Sequence, residues 1–428
     1  METDCTQDDN CVNAVAGSPL PVGSPLPVGS PLPAGTRLLH IGPHKTGTTA
    51  IQGALFAARE RMREHGVEWP ADSRHPMGAA LAVSARQGMM GDAAPRPEQW
   101  TRLVEQVRAT GDRTSVISSE FFADAPDDES VARIVDDLAG SSDGPDGAGP
   151  GARERVHVLV TLRPLAKIMP SQWQQYVQNG LRMDYETWLE HMLRKPPYDK
   201  PNPSFWQRHR HDRLVERWVR AVGADRVTVV VVDDRDRDGL MRTFEALLGL
   251  PEHLLRPVPE TANRSLSLAE TEMLRHLNVE FRAHDLPEQL YSRLIRHGAI
   301  MHMKSVCALT PQDVRISTPG WAVEAAAKIG AEMADRIGET GARIVGDPSL
   351  LSAVPERRDT DRDASDVRLA PETAAQALYG VLAAVAETPS ARSARPVTPL
   401  RTHGVQQTPS KELMKVLGRR CLKRLKRR

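Results

Sequence analysis

The sequence predicts an α/β fold: a parallel sheet flanked by helices, with a helical C-terminal layer and disordered tails. Three observations carry this. Short, unbroken Val/Ile/Leu runs alternate with helix-like stretches from residue 36 to residue 250. A strand that is apolar along its whole length is buried on both faces, as in parallel sheets. After Leu250 the chain reads as almost entirely helical, and from Pro355 onward the core pattern weakens into charged and Pro/Ser/Arg stretches.

The elements follow in order. Residues 36–42 (TRLLHIG) read as a buried strand and Thr48–Glu64 as a helix. Residues 99–109 are helical and 114–119 (TSVISS) form a strand. Val156–Leu162 (VHVLVTL) is an apolar strand, with helices at Leu165–Gln178 and 208–222. The clearest strand is 226–232 (RVTVVVV), where β-branched side chains suit a pleated, buried surface. A helix at 240–248 follows, then helices at 267–283 and 324–339.

This divides the chain into three parts. Residues 1–35 form a Pro-rich spacer, with GSPLPV, GSPLPV and GSPLPA in tandem over 17–34. Paired prolines favour extended polyproline II and exclude helix and sheet ladders, so this segment reads as a semi-rigid exposed spacer. Residues 36–350 carry the folded domain, interrupted by a flexible Gly/Pro/Ser insertion at 139–152. Residues 351–428 read as a mostly disordered tail with a lone helix candidate at 372–387.

Composition narrows the function. With 56 Lys plus Arg against 55 Asp plus Glu, the formal charge of the 428 residues is +1, which excludes a nucleic-acid coat or a polyacid. The balance hides an asymmetry. Residues 410–428 carry nine Lys/Arg and one Glu, so removing their +8 from +1 leaves −7 elsewhere. Leu413, Leu417, Cys421 and Leu425 recur at helical spacing there, as in a basic amphipathic helix facing an anionic membrane surface or an acidic partner. No apolar run reaches the ~18 residues of a membrane span. The acidic start METDCTQDDN is unlike a secretory signal. Cys5, Cys11, Cys307 and Cys421 form no CxxC pair and there is no HExxH, so neither a disulfide framework nor a metal site is expected. The expected location is cytoplasmic, with the tail offering a peripheral contact to the inner membrane surface.

Two motifs carry chemistry. Residues 41–49 (IGPHKTGTT) join a strand directly to a helix. At such a junction the leading helical amides lack acceptors and attract an anion. Gly42 and Gly47 allow a tight turn, Thr46, Thr48 and Thr49 offer hydroxyls, and Lys45 a cation. The loop is not a Walker A motif, because Lys45 precedes Gly47 rather than following it. The second motif is Arg163, at the end of a strand, with Ser171 eight residues later on the next helix. An arginine fork at the carboxyl end of a parallel strand suits phosphate oxygens.

GPHKTGTT resembles the 5′-phosphosulfate loop of sulfotransferases that use 3′-phosphoadenosine 5′-phosphosulfate (PAPS), the bacterial members above all and the carbohydrate sulfotransferases more distantly. The resemblance spans about residues 36–350. It implies a P-loop-like sheet. It implies that Gly42, His44 and Thr46–Thr49 surround the 5′-phosphate, and that Lys45 contacts the oxygen bridging phosphate and sulfur. Arg163 and Ser171 would hold the 3′-phosphate. A segment at 260–277 resembles a stretch of the bacterial members and adds Asn263 and Arg264 as nucleotide contacts. Ser267 and Glu270 within it read as a helix capping box.

Such a transferase works without metal and needs a base for the acceptor hydroxyl. Glu120, at the end of the 114–119 strand, is the first candidate, with burial beside Phe121 and Phe122 expected to raise its pKa. His75 is the second and His44 the third. The acceptor would be a hydroxyl on a sugar, glycolipid or secondary metabolite. Trp173, Tyr176, Trp188, Tyr198 and Trp206 are either walls of its pocket or core. Two other functions compete: a small-molecule kinase on a P-loop-like fold, and a non-catalytic nucleotide-binding module.

Overall fold

The structure is a computed structural model that describes residues 30–140, 152–194, 202, 204–258, 264–310, 313–355 and 368–387. Asn263, Tyr198, most of the tandem repeat and insertion, and the basic tail lie outside them. The chain divides into two compact units, Met1–Leu382 and Ala383–Arg428. Apart from the last residues of the final helix, everything described below belongs to the first.

Six strands form one parallel sheet: β1 (Arg37–His40), β2 (Val67–Glu68), β3 (Thr114–Ser118), β4 (Val156–Leu162), β5 (Val227–Val231) and β6 (Arg343–Val345). Their order is β2-β3-β1-β4-β5-β6, and every adjacent pair is parallel. Strands β1, β3, β4 and β5 are buried at every position. Continuous apolar runs are therefore what this sheet requires. The connection from β3 to β4 crosses β1, so strand order reverses beside β1. In open α/β sheets, ligands bind in the crevice at the carboxyl ends of strands at such a reversal.

Helices cover the sheet: α1 (Thr48–Glu64), α2 (Met77–Val83), α3 (Pro97–Arg108), α4 (Asp128–Ala139), α5 (Leu165–Gln178), α6 (Tyr185–Leu193), α7 (Ser204–His209), α8 (His211–Val222) and α9 (Gly239–Leu248). The sheet core gathers Leu38, Leu39, Ile51, Leu55, Trp218 and Phe244, all essentially inaccessible. A second apolar cluster is built on α5 and α6 and on the helices that follow. These are α10 (Leu268–Ala283), the continuous run of α11 (Glu288–Leu290), a π-helical stretch (Tyr291–Ile300) and α12 (Met301–Val306), then α13 (Gly320–Glu339) and α14 (Pro371–Ala386). Gln174 clamps Leu266 to α5 through both its amide atoms, at 2.9 and 3.1 Å. Asn278 of α10 donates to the carbonyls of Val177 and Leu181 at 2.8 and 2.9 Å.

Several elements differ from the sequence reading. The helix expected at 208–222 is two helices that break at Arg210. Strands β2 and β6 are too short to show a pattern of their own and exist through pairing with β3 and β5. The last copy of the tandem repeat is not a free spacer: Leu32 is buried, its N–H donates to the Leu247 carbonyl at 2.8 Å, and Arg343 donates to the Ser30 carbonyl at 2.9 Å. Cys307 is a free thiol. Among the described residues no helix is long and apolar enough to cross a membrane.

Helix α13 lies so close to the turn Pro348–Ser352 that a Cβ on Gly330 would sit 2.1 Å from the Leu351 carbonyl oxygen, whereas Gly338 has nothing within 4 Å. Alanine favours a helix over glycine by up to ~1 kcal/mol. Urea denaturation is therefore expected to show Gly330→Ala destabilised and Gly338→Ala unchanged or slightly stabilised. Equal effects at the two positions would contradict the close approach.

Candidate active site

The loop 41–49 turns from β1 into α1 with Lys45 at φ 68° and Gly47 at φ 95°. Glycine accepts the left-handed region freely, while a lysine there costs about 1–2 kcal/mol. Gly42 is obligatory for another reason: a Cβ on it would lie 2.8 Å from the Glu120 Cβ and 2.9 Å from its Cα. No side chain caps the start of α1, and its first turn holds no acidic residue. The positive end of a 17-residue helix is thus left without a side-chain cap or a first-turn carboxylate, a setting in which an anion is favoured.

The three threonines play different parts. The Thr46 hydroxyl, expected to meet a phosphate, is fully buried, donates to the Pro43 carbonyl at 2.6 Å and lies 2.8 Å from Thr161 Oγ1. It holds the loop's shape. Thr48 Oγ1 is buried with no hydrogen-bond partner, and Thr49 is exposed.

Lys45 Nζ donates to Gln175 Oε1 of α5 at 3.0 Å. Burial, and then the like charge of Lys304, pull its pKa down to about 8 against the attraction of Glu120. Arg163 leaves the end of β4, donates from Nη1 to the Lys45 carbonyl at 3.4 Å, and pairs through Nη2 with Asp234. Lys167 Nζ, one helical turn on, lies 2.8 Å from the same carboxylate. Burial works against the Asp234 anion, but Lys167 and Arg163 outweigh it and hold its pKa below the usual range. Arg163 Nε has no partner among the described residues. Ser171 is partly buried in α5, just past Pro170.

Glu120 opens the short turn Glu120–Asp124 after β3. Its Oε2 lies 3.2 Å from His75 Nε2 and accepts from Gln52 Nε2 at 3.3 Å. Here the sequence expectation fails. Burial does push the carboxyl up, as the flanking phenylalanines implied, but the hydrogen bond and charge of His75, together with His44, prevail and hold it down at about 2. His75 also lies 3.4 Å from Ser119 Oγ. The two base candidates thus form one carboxylate–imidazole pair. The His44 ring packs edge-on against Phe121 at 4.9 Å, with Asp124 3.7 Å from Nε2, beyond hydrogen-bond range. It braces the turn, and burial, with Arg208, lowers its pKa from the ordinary value against the pull of Asp124 and Glu120.

Arg264 is committed elsewhere. It grips Glu270 with two hydrogen bonds of 2.8 and 2.6 Å and donates to the Met303 carbonyl at 3.2 Å. Glu270 in turn completes the expected capping box with Ser267. Trp173 and Trp188 are fully buried in the second cluster, Tyr176 nearly so, and they belong to the core. A residue the sequence did not flag, Asp234, joins the site because two cations converge on it. Leu240, which touches the Gly47 turn, also lines a cavity of about 320 Å³ with Val231, Asp233, Thr243, Arg343 and Gly346.

Among the described residues no group of three or more His, Cys, Asp or Glu is placed to hold a metal ion. No family model, curated protein or solved structure matches the chain.

Lys45 loses its proton as pH rises through about 8. Calorimetric titration with sulfate at fixed ionic strength is expected to show affinity falling from about pH 7 to about pH 9, and Lys45→Gln should remove that step. A flat profile in the unsubstituted protein would rule out Lys45 as the cation facing the anion.

Proposed function

We propose that this chain is a PAPS-dependent sulfotransferase that moves a sulfuryl group to an acceptor hydroxyl. One observation carries the reading: the uncapped start of α1, Lys45, Arg163 and the His75–Glu120 pair all gather at the carboxyl edge of β1, β3 and β4. The fit of the donor rests on unsatisfied groups. The α1 amides and the orphan Thr48 hydroxyl suit the 5′-phosphosulfate. Arg163, with a free Nε and a carboxylate partner that an incoming phosphate can replace, suits the 3′-phosphate, with Ser171 beside it in sequence. Lys45 precedes Gly47, so the loop lacks the lysine placement of an ATP-binding Walker motif. We extend the reading to a sugar, glycolipid or secondary-metabolite acceptor and to a cytoplasmic, P-loop-like enzyme.

The chemistry is an in-line displacement at sulfur with a loose transition state, governed by positioning and electrostatics as in phosphoryl transfer. The acceptor oxygen forms a bond to sulfur as the bond to the bridging oxygen breaks. Charge collects on that leaving oxygen, and the Lys45 ammonium stabilises it. The acceptor proton goes to the His75 imidazole. A carboxylate whose pKa lies near 2 accepts a proton poorly, so Glu120 serves by holding His75 Nε2–H and stabilising the imidazolium. Nδ1 is left to take the proton. The products are the sulfate ester and 3′-phosphoadenosine 5′-phosphate.

With labelled PAPS and a screened acceptor, Lys45→Ala and Arg163→Ala are expected to lose donor binding. His75→Ala should keep binding but lose turnover by about 10²–10⁴-fold, the usual contribution of a general base. Thermal stabilisation by 3′-phosphoadenosine 5′-phosphate but not by ATP with magnesium is expected. The reverse pattern would favour the kinase reading.

A further inference from the structure

We propose that His40 is a positioning residue: a neutral imidazole, protonated only on Nε2, that ties the anion loop and the strand leading to Glu120 into one rigid unit. Its ring is fully buried in the middle of the sheet edge. Nδ1 lies 2.7 Å from Ser118 Oγ on β3, and Nε2 lies 3.1 Å from Thr161 Oγ1 on β4. Thr161 Oγ1 is 2.8 Å from Thr46 Oγ1, and Thr46 Oγ1 is 2.6 Å from the Pro43 carbonyl. Phe244 meets the imidazole edge-on at 5.1 Å and fixes its plane.

The proton positions follow by elimination. A carbonyl oxygen only accepts, so the single Thr46 hydroxyl proton belongs to the Pro43 contact. The contact between the two threonines must then carry the proton of Thr161. With that proton used, Thr161 Oγ1 can only accept from His40, so Nε2 bears the hydrogen. A neutral ring has one N–H, so Nδ1 accepts and Ser118 donates. Every contact then contains one hydrogen, running Ser118, His40, Thr161, Thr46, Pro43. The reverse direction would leave the Thr46 and Pro43 oxygens 2.6 Å apart with no hydrogen between them. The competing acceptor for Thr161, the Gly42 carbonyl, is farther at 3.4 Å and already takes the Thr161 N–H at 2.9 Å. Burial opposes a charged ring and, despite the pull of Glu120, lowers the His40 pKa to about 3.

The two ends of this chain touch the two halves of the site. Thr46 lies between Lys45 and Gly47. The Ser118 carbonyl accepts from Gln52 Nε2 at 3.1 Å, and the same nitrogen reaches Glu120. His40 itself touches no reacting group, so it acts through the geometry of the loop. The consequence for donor binding rests on the sulfotransferase reading, whereas the tautomer does not.

Two measurements test the proposal. Nitrogen-15 NMR of the histidine rings in the full chain, with His40 assigned by comparison with His40→Gln, is expected to show Nε2–H and unprotonated Nδ1. The Nδ1–H form or a charged ring would overturn the proposal. Thr161→Val keeps the shape but breaks the chain at its centre. Hydrogen exchange is expected to rise about tenfold in the loop 42–49 and the first turn of α1, the scale of one lost hydrogen bond, and not in β5. Thr161→Ser should restore protection, and affinity for 3′-phosphoadenosine 5′-phosphate should follow the same order. Unchanged loop exchange, or an equal rise throughout the sheet, would reduce His40 to an ordinary core residue. If the tautomer and exchange results hold but the nucleotide fails to bind even the unsubstituted protein, the positioning role stands and the donor assignment falls.

Discussion

The site depends on one close approach. The chain leaving β1 passes against the backbone of Glu120 at the end of β3, with room for a glycine and nothing larger at Gly42. That contact sets the start of α1, with its unclaimed amides, beside the carboxylate that holds His75. The order of the strands supplies the rest. Because β1 lies between β3 and β4, the loop after β1 is flanked by Glu120 on one side and Arg163 on the other. A sheet with β1 at its edge would have offered only one of them.

Electrostatics then assigns the roles. Burial weakens both charges nearest the loop, Lys45 and Glu120, but with different outcomes. The lysine faces another cation, Lys304, and loses ground to about 8, close to where a lysine can exchange its charge. The glutamate faces imidazoles and gains, falling to about 2. The arrangement therefore separates a tunable cation from a fixed anion, with His75 against the anion. Arg163 and Lys167 share Asp234. This pairing places a half-buried arginine and an exposed lysine on one carboxylate at the end of β4.

The parts legible in the sequence are those whose partners are near in sequence. The Val-rich run of β5 and the loop GPHKTGTT could be read because burial on both faces and a tight strand-to-helix turn each impose a local pattern. The Ser267–Glu270 capping box is local in the same sense. What could not be read depends on distant partners. His40 looks like one polar residue in an apolar strand, and its partners Ser118 and Thr161 lie 78 and 121 residues away. Glu120 departs from its local pattern for the same reason: its apolar neighbours are adjacent, but His75, whose contact lowers its pKa, comes from 45 residues upstream. Arg264 was drawn away from the site by Glu270, six residues on, and the Met303 carbonyl. The aromatic residues of α5 and α6 read equally as pocket or core, and packing against α10 and the helices after it decided for core.

The central claim is that one sheet edge holds a nucleotide by both of its phosphate groups. A crystal structure of the full chain with 3′-phosphoadenosine 5′-phosphate tests it most directly. The account predicts the 5′-phosphate on the first amides of α1 beside Lys45, and the 3′-phosphate on Arg163 with Asp234 displaced. A nucleotide bound elsewhere, or with its phosphates reversed between the two sites, would contradict it.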